Sequence, residues 1–240
     1  MFHGKKVIIF DMDGTLIDSI GMWNMVDREL IQMLGHEVFD EIKIQQQRDE
    51  VLRTFSHSKD AYLEYCAFLK GTYQASFSKE EIRNLRYKIA TSYMIEVIDF
   101  KPDAEKFLHY LKDKGFTLVI ASTTSDANLK TYMSLNCKMG NKVDFEEIFA
   151  LVLGRDVVSK MKPHPEIHHF IMEKLRVTSK ECLIVEDSLI GLEAAENAGI
   201  ETIIMYDKYS ENEQFELELR ALGSFKTYQE LLAYAQQELG

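Results

Sequence analysis

Val7-Ile8-Ile9-Phe10 runs straight into Asp11-Met12-Asp13-Gly14-Thr15, and this junction decides how the chain is to be read. Four consecutive apolar residues, three of them β-branched, suit a strand covered on both faces. Two carboxylates then emerge where the strand ends, at the edge where open α/β sheets place their ligands. Working outward, comparable runs occur at Leu118 to Ala121, Ala150 to Leu153, Leu183 to Val185 and Thr202 to Met205. Between and after them lie helical patterns at about 103–114, 126–136, 165–175, 189–198 and 227–239, with Gly115 and Gly199 as stop signals. Strands alternating with helices predict an α/β fold with a doubly wound, Rossmann-like parallel sheet.

The stretch from Ile20 to Val97 breaks this alternation and offers no convincing strand. Trp23, Val26, Leu30 and Leu34 recur at helical spacing, and Ser78 with Glu81 forms a capping-box signature ahead of Ile82, Leu85 and Ile89. A helical bundle of four helices inserted after the first strand is expected. Its aromatic residues Tyr62, Tyr65, Phe68 and Tyr73 suit a helix–helix core better than a substrate pocket.

The residues that could carry chemistry gather at strand ends. Asp11 and Asp13 are separated by one residue, and a bend at Gly14 lets the second reach a different part of a bound molecule. Ser122 ends the second strand and, with Thr123, offers a hydroxyl and backbone amides to an anionic oxygen. Lys162, before Pro163, could neutralise negative charge. Glu186 and Asp187 close a very apolar strand, and adjacent carboxylates there are costly to hold together without a cation. A hard divalent ion such as Mg2+, which takes oxygen ligands, would relieve that cost.

Bulk properties exclude some partners. The net charge of −11 disfavours a nucleic-acid backbone or an anionic membrane surface as the main partner. Three cysteines without CxxC spacing suggest neither a disulfide framework nor a thiolate zinc site, which fits a reducing cytoplasm. The short N-terminal lead into the first strand leaves no room for a signal peptide or a membrane span. His164, His168 and His169 lack a zinc spacing and are expected at a solvent-facing helix start; Asp126 and Asn128 are expected to cap the following helix.

Taken in order, DMDGT at 11–15, Ser122, Lys162-Pro163 and Glu186-Asp187-Ser188 with Gly191 resemble the four motifs of the haloacid dehalogenase superfamily. The position of the helical insert is similar to the subfamily that includes β-phosphoglucomutase and phosphoglycolate phosphatase. The resemblance implies a core of residues 1–17 and 98–240 and a mobile helical cap of 18–97. It implies that Asp11 attacks phosphorus to form an aspartyl phosphate and that Asp13 protonates the leaving oxygen and then activates water. It also implies Mg2+ held by Asp11, the Asp13 backbone carbonyl, Asp187 and Glu186, directly or through water, with Ser122, Thr123 and Lys162 on the phosphoryl group. Thr15 is implied to serve the same site and the movement of Asp13.

The expected function is therefore a magnesium-dependent phosphatase acting on a small phosphate monoester, working as a monomer or weak homodimer. Two alternatives are a sugar-phosphate mutase and a non-catalytic protein that binds a phosphometabolite. All four motifs are intact, which argues against the last, and Asp13 argues against a dehalogenase, since those relatives lack the second aspartate. Trp23 stands where the mutase has a histidine and cannot act as one, because an indole only donates a hydrogen bond. Thr15 likewise replaces an apolar residue of the mutase. Both departures favour release of phosphate to water.

Overall fold

A computed structural model describes residues 1–37, 40–55 and 60–240. The chain divides into two compact units, Met1–Ser19 with Ile98–Gly240, and Ile20–Val97. The first contains strands β1 (Val7–Phe10), β2 (Thr117–Ala121), β3 (Phe149–Leu153), β4 (Cys182–Glu186), β5 (Glu201–Met205) and β6 (Gly223–Phe225). They form one sheet in the order β3-β2-β1-β4-β5-β6, with every neighbouring pair parallel. The chain first builds outward from β1 to β2 and β3, then returns to lay β4 on the other side of β1. The β1–β4 boundary is the topological switch point, where a crevice opens at the carboxyl ends of the strands.

The second unit consists of helices α1 (Ile20–Met33), α2 (Glu41–Thr54), α3 (Ala61–Thr72) and α4 (Lys79–Glu96). Helix α1 packs on α2 and α4, and α3 on α2 and α4. The capping box at Ser78 is formed: its hydroxyl accepts from the Glu81 N–H, and the Glu81 carboxylate accepts from the Ser78 N–H. Tyr65 is buried with Arg86 of α4 over its ring, as the helix–helix reading requires, while Tyr62 lies at the surface.

The sheet-bearing unit continues with α5 (Ala104–Asp113), α6 (Asp126–Leu135), α7 (Cys137–Gly140), α8 (Phe145–Ile148), α9 (Glu166–Leu175), α10 (Leu189–Asn197), α11 (Gln214–Arg220) and α12 (Tyr228–Leu239). Successive strand residues face opposite sides of the sheet. On one side Val7, Ile9, Val119, Ala121 and Ile184 pack with Ile167 and Ile171 of α9 and Ala195 of α10. On the other, Phe10 meets Phe107 of α5, which in turn meets Tyr228 of α12. Burying each such side chain contributes roughly 1.5–3 kcal/mol, so β1 and β4, apolar on both faces, are the best-anchored part of the unit. No helix of the described residues is long and apolar enough to cross a membrane.

Three details differ from the sequence expectation. The edge strand β6, with its Gly-Ser-Phe sequence, is too short and polar to register as a run, and α7, α8 and α11 are equally brief. The cap of α6 is Ser125, whose hydroxyl accepts from the Asn128 N–H, so Asp126 is the first helical residue rather than the cap. His168 is 1% exposed, on the face of α9 that carries Ile167 and Ile171 toward the sheet, with no hydrogen-bond partner for either ring nitrogen among the described residues. Its place in the helical repeat outweighs its polarity.

Candidate active site

Four charged side chains converge at the carboxyl ends of β1 and β4. Asp11 continues the ladder one residue beyond β1, its N–H donating to the Val185 carbonyl at 3.0 Å. Lys162, a residue only 6% exposed, donates from its ammonium to Asp11 Oδ1 and to Glu186 Oε1, each at 2.7 Å. Lys162 reaches them from the irregular stretch between β3 and α9. There the Glu166 carboxylate accepts from the backbone of Ser159 and Lys160 and draws the loop against the start of α9.

The Glu186 carboxylate is fully occupied. Its Oε2 accepts from the N–H groups of Asp187 and Ser188 and from the Ser188 hydroxyl, at 2.8, 3.1 and 3.0 Å. Ser188 also caps α10, accepting from the Gly191 N–H. A β-carbon at Gly191 would lie 1.7 Å from Glu186 Oε1, so only glycine lets the first turn of α10 approach the carboxylate this closely. Asp187 is held differently: Thr15 donates to its Oδ1 at 2.7 Å and Ser210 to its Oδ2 at 3.3 Å.

Asp11, Glu186 and Asp187 each offer a carboxylate oxygen, and these oxygens lie within 4.8 Å of one another. One ammonium cannot balance three buried carboxylates. Burial pushes the Asp11 carboxyl up to about 7, with Lys162 pulling the other way and Glu186 adding to the rise. Asp187 lies well above the usual carboxylate range, first through burial and then through the charges of Glu186 and Asp11. Lys162 moves above the ordinary lysine value despite burial, because Asp11 and Glu186 outweigh the desolvation. An all-oxygen donor set left short of positive charge fits a hard divalent cation. Both Glu186 oxygens are engaged, one of them by Lys162, which this carboxylate braces.

Asp13 stands apart from this cluster. The chain turns sharply after it, with Gly14 at φ 88°, and the Asp13 carboxylate accepts from Ser19 on Oδ1 at 2.6 Å and from Thr124 on Oδ2 at 2.6 Å. Ser122 contributes a long contact of 3.5 Å, and the Tyr132 hydroxyl is pushed up in pKa first by burial and then by the nearby charge of Asp13. Ser122 spends its backbone N–H on the Leu153 carbonyl, and its hydroxyl accepts from the Thr124 N–H at 3.0 Å; Thr123 is exposed on the loop that follows. The hydroxyl of Thr15 goes to Asp187 and its carbonyl accepts from Tyr228 at 3.2 Å. Ser19, Thr124, Tyr132 and Ser210 were not legible as site residues, because a hydroxyl in a loop or helix is too common a feature to stand out.

Fold and site together define a doubly wound α/β enzyme with an acidic, lysine-braced centre at the switch point. The chain belongs to the haloacid dehalogenase-like hydrolase family, whose model matches residues 8–205. It is 28% identical over 221 residues to the protein CbbY of Cereibacter sphaeroides, covering 92% of each chain. It is 24% identical over 201 residues to a phosphorylated carbohydrates phosphatase of Thermotoga maritima, covering 82% of this chain and 83% of that one. The solved structure of YfnB from Bacillus subtilis, bound to magnesium, has the same fold, with a TM-score of 0.74 at 15% identity over 97% of this chain and 99% of that one.

Proposed function

We propose that this protein is a magnesium-dependent phosphatase that hydrolyses a small phosphate monoester through a phosphorylated Asp11. The observation that carries the reading is the bridge of Lys162 between Asp11 and Glu186 beside Asp187. It aligns a nucleophilic carboxylate, a fixed ammonium and an oxygen donor set at one strand edge. An oxygen of Asp11 attacks phosphorus while the ester oxygen departs with a proton from Asp13. Asp13 then takes a proton from water; the water oxygen bonds to phosphorus, and the bond to the Asp11 oxygen breaks. Lys162 and the Ser122 hydroxyl steady the charge on the transferring group throughout, so most of the catalysis is positioning and electrostatics. Asp11, Asp187 and the Asp13 carbonyl would hold Mg2+, which when bound supplies further positive charge against the phosphoryl oxygens. The magnesium bound to the fold relative YfnB supports that choice of ion.

The segment 18–97 is proposed as the cap that selects the ester, with 1–17 and 98–240 carrying the chemistry. The name of the Thermotoga maritima relative supports a phosphorylated sugar or a similarly small substrate. Transfer to water rather than back to a sugar is supported by Trp23, whose indole lies 4.6 Å beneath the Arg86 guanidinium as a packing partner and carries no acid or base. Phosphate release from a panel of sugar phosphates, nucleotides and small phosphorylated acids should require Mg2+ and vanish in Asp11→Asn. Near-normal turnover by that variant would remove the mechanism. Rapid conversion of β-glucose 1-phosphate to glucose 6-phosphate with a trace of the 1,6-bisphosphate, and negligible phosphate release, would replace hydrolysis by mutase chemistry.

A further inference from the structure

Asp13 is ringed by hydroxyl groups to an extent that its proposed role does not by itself require. Ser19 and Thr124 approach at 2.6 Å from opposite sides, one on each carboxylate oxygen, which fixes the plane of the group. Tyr132 is fully buried on α6, near enough for the charge of Asp13 to act on its hydroxyl. Thr124 and Tyr132 both belong to the segment that follows β2, remote in sequence from Asp13 and unrelated to the four charged residues at the neighbouring strand ends. A side chain that must meet a leaving oxygen at hydrogen-bond distance gains from a restricted orientation, since small misplacements cost rate steeply.

We propose that Thr124 and Tyr132 are positioning residues for Asp13. They hold its carboxylate in a defined plane, so that proton transfer to the leaving group depends on them although neither touches the ester. The inference rests on the assignment of Asp13 as proton donor. The competing view is that the two hydroxyls merely satisfy one another's surroundings and support the fold.

Leaving-group dependence separates the two views. Phenyl phosphate needs a proton on its departing oxygen far more than p-nitrophenyl phosphate does, so a fault in proton delivery falls unevenly on the pair. We would measure kcat/KM for both esters with Mg2+ in the wild type, Asp13→Asn, Thr124→Val, Thr124→Ser and Tyr132→Phe, with thermal unfolding of each. Thr124→Val and Tyr132→Phe are expected to lose roughly ten-fold more on the phenyl ester than on the nitrophenyl ester, in the same sense as Asp13→Asn but less severely. Thr124→Ser should restore the wild-type ratio. Equal losses on both esters, or no loss, would overturn the proposal. If Tyr132→Phe does not fold, the Thr124 pair decides alone. An active Asp11→Asn, or an Asp13→Asn with an unchanged ratio, would bring down the phosphatase mechanism and this inference with it. An inactive Asp11→Asn and a sensitive Asp13→Asn, with flat ratios in the other variants, would remove only the inference.

Discussion

Each unit of the molecule buries a cluster of charges, and the two are balanced in opposite ways. In the helical unit Asp27 is fully enclosed, and both its oxygens are met: Oδ1 by Arg86 at 2.6 Å, Oδ2 by Arg48 at 2.9 Å and again by Arg86 at 3.3 Å. Arg48 also donates to Asn24, which donates to Gln45, and the Arg86 guanidinium lies over Trp23 and near Tyr62 and Tyr65. Asp27 drives the Arg86 pKa above its ordinary value against the desolvation of burial. In the sheet unit Asp11 and Glu186 share Lys162, while the neighbouring Asp187 is met by the hydroxyls of Thr15 and Ser210. The first cluster meets its carboxylate with cations and has the character of internal scaffolding. The second is deficient in positive charge, and there the proposed Mg2+ would bind. Burial of charge is therefore not the signature of function here; imbalance is.

The comparison makes predictions of decreasing size. Asp27→Ala leaves two guanidinium groups facing an empty centre and should destabilise the protein by about 3–5 kcal/mol in chemical denaturation. A loss under 1 kcal/mol would show that the helical cluster is not structural. Lys162→Ala should reduce kcat/KM by on the order of 10²- to 10³-fold, about 3–4 kcal/mol of transition-state stabilisation. An unchanged kcat/KM would mean that the lysine bridge is only scaffolding, like the cluster around Asp27.

His168 sharpens the contrast as a buried group outside both clusters. Burial, reinforced by Lys162 and His169, lowers its pKa to about 3, so the folded state keeps it neutral while an unfolded chain protonates it near 6.5. Its contribution to stability is complete above pH 6.5 and is lost progressively as pH falls from there toward 3. At pH 5 the loss amounts to about 2 kcal/mol, and His168→Phe should abolish that part of the acid sensitivity. Parallel stability–pH curves for the two proteins would refute it. Smallest of all, Mg2+ at ten times its dissociation constant should add about 1.4 kcal/mol to the unfolding free energy. That increment should shrink in Asp187→Asn; an equal increment there would place the ion elsewhere.

The central strands and the charged site residues were legible in the sequence because their signals are local. Val7–Phe10 and Cys182–Glu186 are apolar along their length, and carboxylates stand at or just beyond their ends, so burial on both faces and a reactive edge could be read from a handful of adjacent residues. The four helices of the second unit announced themselves by period and by the box at Ser78. Only the tertiary structure decided the rest. The edge strand Gly223–Phe225 exists because β5 offers it a ladder, not because its sequence favours extension. His168 is buried because its helix must turn that face to the sheet. Thr124 meets Asp13 across 111 residues of chain, and Tyr132 lies buried on the following helix within the field of the same carboxylate. A hydroxyl carries no periodicity and no charge, so its partner is set by where the fold returns the chain, which no local pattern records.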